Sequence, residues 1–494
     1  VVAPARGFPL DGALCAGALC AGVLFVYGGI LDGYFLADDY TILGSFWEKG
    51  GAYLARLLVS DEIGGVWPEK FIRPIRPWSL AFDGWLWGLE PLGFHLTNLV
   101  LHAATATAIA ALLLQLGAGI SAALPASLLF LLHPANVEVA VWVSGRDESL
   151  AAAALLASVC CYLAASRGRP VVWIGLAAAC YALSLFAKEY ALLLPAGLWS
   201  WAFFAPADGA SRIGSLKAAL LRTAPQLAIL SGFLALRFHS TGHPLGGYGA
   251  GGAAHVAVRA DLFVQSLARF GSDLLSPMSA RPFAAAALGL GVLAPLAITR
   301  SPRKAPRAAH IFFWGLVWPA LFLLPTHNLV YTARHLYISF AGVAVAFGLV
   351  LARTGERWRT PLFLGTGALL AALLSPPALA AADKYTRMSE QCRLVLESIE
   401  SASKSFPPGD VLVLVGMPSH QTPPWGFGWS QADALRPPFV TDALDRRLEI
   451  VSRRLWRAGA WNAYRVRYPG RGIHVLRWNP AFAGIEILRD DGPR

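Results

Sequence analysis

Hydrophobic residues run through this chain in long blocks separated by short polar breaks. A membrane-crossing helix needs about 20 apolar residues, with a range of about 17 to 25. Blocks that suit this length lie at roughly 11–31, 94–116, 118–133, 148–165, 171–188, 190–206, 216–236, 282–299, 310–325, 336–352 and 361–382. The pattern predicts an all-α polytopic membrane protein with about eleven spans. The first block lacks a small-residue cleavage pattern and reads as a retained span rather than a leader. Residues 260–277 are apolar but carry Asp261, Arg269 and Asp273. They read as an amphipathic helix on the membrane surface. The aromatic stretches Phe46-Trp47 and Phe82 to Trp87 suit the same headgroup level, where Trp is enriched.

From Asp383 onward the pattern changes. Residues 383–404 read as a polar helix. Asp410 to Val415 reads as a buried strand, and Asp442 to Trp456 as an amphipathic helix. His474 to Leu476 and Ile485 to Leu488 read as strands. The expected division is a transmembrane unit over 1–382 and a small α/β unit over 383–494, long enough to hold its own core.

Composition agrees with the spans. Only 14% of the 494 residues are charged, against about a quarter in soluble domains. Mean hydropathy is +0.51. The net charge of +11 would suggest nucleic acid in a soluble chain, but here the basic residues fall in short loops. Arg167 and Arg169, Arg212 and Lys217, the cluster Arg300, Arg303, Lys304 and Arg307, and the cluster Arg353, Arg357 and Arg359 occupy alternate loops. Placing all four in the cytoplasm satisfies the positive-inside rule. The first long loop and the C-terminal unit are then external, on the periplasmic or extracellular side of a bacterial plasma membrane, and no nucleic-acid partner is expected. Five of the six cysteines lie in apolar blocks, and neither a disulfide framework nor zinc spacing is visible. Walker, GxSxG and HExxH motifs are absent from the sequence.

Charged groups at the external span ends carry the candidate chemistry. Asp38-Asp39 follows the first span directly, and charges near hydrocarbon are costly enough to point to a cavity or a reaction. Asp38 is the stronger candidate. The same loop holds Arg73 and Arg76, each before a proline, and leads into His95, Asn98 and His102 on one helical face. The next external loop offers His133, Glu138, Trp142, Arg146 and Glu148. Glu138, Trp142 and Arg146 are four apart and share a face if the stretch is helical. There Glu138 and Arg146 either pair with each other or line the cavity of Asp38. Lys188-Glu189 ends the fifth span, either snorkelling to the interface or meeting a phosphate. Arg237 precedes a Gly-rich loop, where an interface anchor is an equal reading. Arg334, between Tyr331 and Tyr337, suits a lipid-linked phosphate, because guanidinium binds phosphate oxygens bidentately.

The segments "FLADDYTI", "RP…FHLTNLVLH", "HPANVEVAVWVSGRDE", "LFAKE" and "YTARHLYIS", in this order, resemble the GT-C superfamily of integral-membrane glycosyltransferases. The likeness is greatest to bacterial relatives of the transmembrane-and-TPR protein O-mannosyltransferases. Protein O-mannosyltransferases themselves and the lipid A aminoarabinose transferase are more distant. The resemblance covers about residues 30 to 345. It implies a polyprenyl-phosphate sugar donor and a catalytic aspartate in the first external loop, hence Asp38 as base with Asp39 beside it. Glu138 and Asp39 would position the acceptor or a divalent cation such as Mg or Mn, although no ligand set compels a metal. Arg334, with Lys188, Arg146, Arg237 and Tyr337, would hold the donor phosphate, and His95, His133, Glu189 and Arg73 are further site candidates. The acceptor it implies is a hydroxyl on a protein, glycan or lipid. The chain departs from the family in having no TPR array and in carrying Ala333-Arg334-His335 where relatives often have Glu-Arg. An oligosaccharide ligase or polymerase, and a lipid or sugar transporter, are the competing readings. The first would use a diphosphate lipid and a large late loop; the second would show inverted repeats with midplane charges.

Overall fold

The computed structural model describes residues 8–60, 71–206, 209–242, 260–279, 308–326, 332–353, 356–416, 426–451, 460–479 and 484–488. The expected span at 282–299, the basic cluster at 300–307 and Tyr331 lie outside them. Helices dominate. The first eight are α1 (Phe8–Tyr27), α2 (Asp38–Arg56), α3 (Ile75–Trp87), α4 (Pro91–Gln115), α5 (Ile120–Leu132), α6 (Val137–Val141), α7 (Arg146–Ala164) and α8 (Pro170–Ala187). After them come α9 (Leu194–Phe204), α10 (Arg212–Arg222), α11 (Ala224–Thr241) and α12 (Ala260–Ser279).

Among the described residues, six helices are long and apolar enough to cross a membrane, or up to eight if two bent pairs each count as one span. The chain is therefore a multi-pass membrane protein. Several expected spans are shorter or broken. The block at 118–133 forms the 13-residue α5, which bends by 57° into the Pro134–Val141 segment. The block at 216–236 becomes α10 and α11, bent by 56°. The amphipathic stretch at 260–277 forms α12, which is not among the helices apolar enough to span.

Close helix approach depends on small residues. A Cβ on Gly348 would lie 2.6 Å from a Leu113 methyl, so a larger residue there would have to push that side chain aside for the Tyr337–Leu351 helix to seat against α4. Bundles in lipid associate through such packing, since lipid tails supply little hydrophobic drive.

The last expected span and the polar helix after it are one continuous helix, Glu356–Ser403. Residues 382 and 383 sit inside it. Beyond it a four-stranded sheet forms in the order β2-β1-β3-β4. It comprises β1 (Val411–Val415), β2 (Leu448–Val451), β3 (Ile473–Asn479) and β4 (Gly484–Leu488). β1 pairs parallel with β2 and β3, and β4 runs antiparallel to β3. All five β1 residues are buried, as its unbroken apolar run requires. Among the described residues 442–451 the expected amphipathic helix is not formed. Leu444–Arg446 makes a single 3-10 turn and Leu448–Val451 becomes β2. Pairing of Leu448-Glu449-Ile450-Val451 along β1 overrides the helical period.

Candidate active site

The acidic doublet opens α2 after a sharp turn. Ala37 has φ +45°, a left-handed conformation that a residue with a Cβ adopts only when its surroundings hold it there. Three contacts hold it. The Ala37 N–H donates to the Gly426 carbonyl at 2.7 Å. The Trp142 indole N–H donates to the Leu36 carbonyl at 3.2 Å. Tyr40 stacks on Phe427 with ring centroids 5.4 Å apart.

This turn sends the two carboxylates to different places. Asp39 is 1% exposed. Its Oδ2 accepts from the Leu36 N–H at 2.8 Å, and its Oδ1 accepts from the N–H of Ser144 at 2.8 Å and from the Ser144 hydroxyl. Asp39 is therefore a strut between the turn and the segment before α7. Burial pushes its carboxyl up to about 7, against the Ser144 and Leu36 hydrogen bonds that favour the ion. Asp38 is half-buried, and its Oδ1 has no hydrogen-bond partner among the described residues. Burial raises its proton affinity above that of an ordinary aspartate; Arg76, Arg334 and a hydrogen bond from Trp429 oppose this, and Asp147 adds to it. An aspartate of this kind, with a raised proton affinity and an unpartnered oxygen, can accept a proton.

Around Asp38 lies a ladder of ions drawn from six segments. Arg334 pairs with Glu138 at 3.2 Å, and its guanidinium lies 4.9 Å from the Trp142 ring. A 3-10 turn over Ala333–Leu336 presents it, with His335 Nδ1 accepting from the Thr332 N–H. Lys188, where α8 ends in extended backbone, bridges Asp147 at 2.9 Å and Glu148 at 2.5 Å. Arg73 reaches Glu189 at 2.7 Å and Asp147 at 3.6 Å. Arg237 reaches the other Glu189 oxygen at 3.3 Å. Burial acts to raise the Glu189 carboxyl, but Arg73 and Arg237 outweigh it and hold it below the usual range. Lys188 and Glu189 are thus paired inward rather than snorkelling.

Four further candidates stand apart from this ladder. Arg146 is 0% exposed and is consumed by Asp83 at 2.6 Å, Asn98 at 2.7 Å and the Phe94 carbonyl at 2.8 Å. Tyr337 is fully buried, and its hydroxyl meets His102 Nδ1 at 2.7 Å. His133 bonds the Leu274 carbonyl of α12 at 3.1 Å and packs on Phe340. His95 is buried on the inner face of α4. Glu138, Trp142 and Arg146 do not share a helical face, because the helix breaks at Trp142 into a 3-10 turn over Val143–Gly145. Glu138 pairs with Arg334 rather than with Arg146.

Sequence reasoning passed over Ser144, Asp147 and Trp429, and it named Arg76 beside Arg73 without giving it a role. Arg76 had a visible cue, lying three residues from Arg73 across the start of α3. Trp429 had none, since it comes from the C-terminal unit. Among the described residues no three His, Cys, Asp or Glu side chains gather as a metal ion requires. The acids of the ladder are already paired with Lys188, Arg73, Arg237 and Arg334. They do not offer the oxygen cage that Mg or Mn takes.

No protein-family model matches the chain, and no curated protein sequence does. Solved structures do match. ArnT from Cupriavidus metallidurans bound to undecaprenyl phosphate aligns with a TM-score of 0.51 at 11% identity, over 97% of this chain and 94% of that one. The same protein in its apo state gives the same values. The oligosaccharyltransferase of Archaeoglobus fulgidus in the apo form aligns at 0.47 and 11% identity, over 89% of this chain and 64% of that one. The chain thus spans less than two thirds of that protein's length. The ArnT match extends over nearly the whole of both chains and shows that the two share a fold.

Proposed function

We propose that this chain is a membrane glycosyltransferase that moves a monosaccharide from a polyprenyl-phosphate donor to an acceptor hydroxyl, with inversion, on the external face of a bacterial plasma membrane. The observation that carries this reading is the buried, unpartnered Oδ1 of Asp38, set within the influence of Arg76 and Arg334. A base and cations on one small surface match a reaction in which a hydroxyl loses a proton as a phosphate gains charge. The neighbour that shares the fold over nearly its whole length was solved with undecaprenyl phosphate, a lipid of the donor class.

In this mechanism the acceptor hydroxyl gives its proton to Asp38 as its oxygen attacks the anomeric carbon. The bond from that carbon to the phosphate oxygen breaks, and the electron pair leaves on the lipid phosphate. General-base catalysis of this kind contributes roughly 10²–10⁴-fold. Arg334 and Arg76 offset the charge that develops on the phosphate, with Arg73, Arg237 and Lys188 behind them. Phosphate is a good leaving group, so a second carboxylic acid is not needed, unlike in glycosidases. Asp39 holds Asp38 in place, and Glu138 holds Arg334. Arg146 and Tyr337 serve the reaction from the interior by fixing α4 against its neighbours. No step requires a divalent cation.

Residues 1–382 would carry donor binding and chemistry, and 383–494 the acceptor side. The resemblance of the motifs to O-mannosyltransferase-like proteins makes mannose the first donor to try. The test is to incubate purified protein with radiolabelled polyprenyl-phosphate sugars, mannose first, and candidate acceptors, then to read the product's anomeric configuration by NMR. An inverted glycoside is expected. Transfer only from diphosphate lipids, or retention of configuration, would overturn the reading.

A further inference from the structure

We propose that Thr41 is a positioning residue for Asp38, the point at which the C-terminal unit grips the helix that carries the base. This rests on the transfer chemistry proposed above and makes residues 383–494 part of the catalytic centre.

Thr41 lies three residues after Asp38 in α2, so the two are neighbours on one side of the helix. Thr41 is buried, and its hydroxyl reaches across to the C-terminal unit. There it meets Ser430 Oγ at 2.7 Å and Asp433 Oδ2 at 2.5 Å. An ionised carboxylate only accepts, so the Thr41 O–H donates to Asp433. Hydrogen bonds to ionised groups are roughly twice as strong as neutral ones. Asp433 lies 3.5 Å from Arg436, which pairs with Asp445 at 2.8 Å. A row of charges in the C-terminal unit thus ends on α2.

The rest of the segment that bears the doublet is gripped from the same side. Upstream, Ser389 of the Glu356–Ser403 helix is buried, and its Oγ accepts from the Tyr34 N–H at 3.0 Å. At the turn, the Gly426 carbonyl accepts from the Ala37 N–H at 2.7 Å. Between Ala37 and Thr41 the Tyr40 ring is enclosed by Phe427 and Phe439, with centroids 5.4 Å and 4.9 Å away. These contacts are tied to one another, because the Thr441 N–H donates to Glu400 of the long helix at 3.0 Å. The opposite side of the doublet is held by Ser144 through Asp39. The base therefore sits between two units and takes its position from both.

The grip matters because of the turn it closes. Ala37 has φ +45°, a conformation that persists only where its surroundings hold it. Contacts at Tyr34 and Thr41, one on each side, oppose its relaxation. Without the Thr41 hydroxyl, α2 can pivot about the turn, and Asp38, its first residue, is displaced. A misplacement of about 1 Å at a reacting group can cost about 10²-fold in rate. The effect belongs to the chemical step, since Thr41 faces the C-terminal unit while the candidate phosphate cations come from other segments.

The experiment compares the full chain carrying Thr41→Val, which keeps the shape and loses the hydroxyl, with Thr41→Ser, which keeps the hydroxyl. Transfer is read with a radiolabelled polyprenyl-phosphate sugar, donor-site binding with undecaprenyl phosphate, and the order of residues 33–44 by hydrogen-exchange mass spectrometry. Thr41→Val should lower kcat by roughly 10- to 10²-fold, leave the Kd for undecaprenyl phosphate at the wild-type value and speed amide exchange in 33–44. Thr41→Ser should recover most of the rate and the protection. Asp433→Ala attacks the same contact without touching α2 and should lower kcat in the same direction, which keeps the test alive should Thr41→Val fold poorly. Wild-type kcat in both Thr41→Val and Asp433→Ala would overturn the proposal, as would unchanged exchange in 33–44. So would an equal loss in Thr41→Ser accompanied by weaker undecaprenyl phosphate binding, the mark of general destabilisation. If no form transfers sugar from a polyprenyl phosphate, yet Thr41→Val loosens 33–44 and Thr41→Ser does not, the transfer reading fails and the grip on the doublet stands.

Discussion

Neighbouring aspartates with opposite duties make a sharp test. Asp39→Ala removes the acceptor for two buried N–H groups, those of Leu36 and Ser144, and for the Ser144 hydroxyl. Each orphaned donor costs about 1–3 kcal/mol. Some of that cost is recovered because the half-buried Asp38 next door lets water approach, so the expected loss is about 2–5 kcal/mol. Asp39→Asn keeps the shape and one acceptor oxygen, but turns an amide N–H₂ toward a donor, and should lose roughly half as much. Asp38→Asn breaks no internal hydrogen bond at Oδ1 and removes a carboxylate that burial disfavours, so its stability should match or exceed wild type. The assay is the fraction of monodisperse protein left after graded heating in detergent, read beside the transfer rate. Wild type and Asp38→Asn should survive together, Asp39→Asn should fall earlier, and Asp39→Ala earlier still. Survival of Asp39→Ala at wild-type temperatures would refute the strut assignment, and a melted Asp38→Asn would refute the division of labour.

Other outcomes follow from the same geometry. Transfer should fall on acidification with a midpoint above the value near 4 of a free aspartate. Burial raises the proton affinity of Asp38, so the ionised base is lost earlier; a pH–rate profile flat down to pH 4 would contradict this. Arg334→Ala should raise the Kd for undecaprenyl phosphate by at least about tenfold, the scale of a lost charge-assisted contact, measured by competition with labelled lipid. Lys188→Met leaves Asp147 and Glu148 buried side by side. It should cost about 3–5 kcal/mol and collapse the folded yield, and adding Asp147→Asn with Glu148→Gln should restore the yield but not the activity.

The spans were legible because about 20 apolar residues in a row have few uses outside a bilayer. The short and bent ones were not, because α5 and its bent continuation through Val141 turn inside protein, where polar backbone can be satisfied without a full-length helix. The charges at span ends were legible, and Asp38 was singled out among them. Which member of the doublet keeps an unpartnered oxygen was hidden, since it depends on the positive φ of Ala37 and on a contact from Gly426. The partners of the charges were hidden for a similar reason. Arg334 and Glu138 are 196 residues apart, and Lys188 and Asp147 are 41 apart, so local spacing instead suggested pairing Glu138 with Arg146. β2 was misread as part of a helix because only its register along β1 reveals a strand.

Reconstituting wild type and Asp38→Asn into liposomes with a radiolabelled polyprenyl-phosphate sugar addresses the base most directly. Asp38→Asn should bind undecaprenyl phosphate as wild type does while its kcat drops by roughly 10²–10⁴-fold. Wild-type turnover by Asp38→Asn would mean that the proton goes elsewhere and that this carboxylate is not the base.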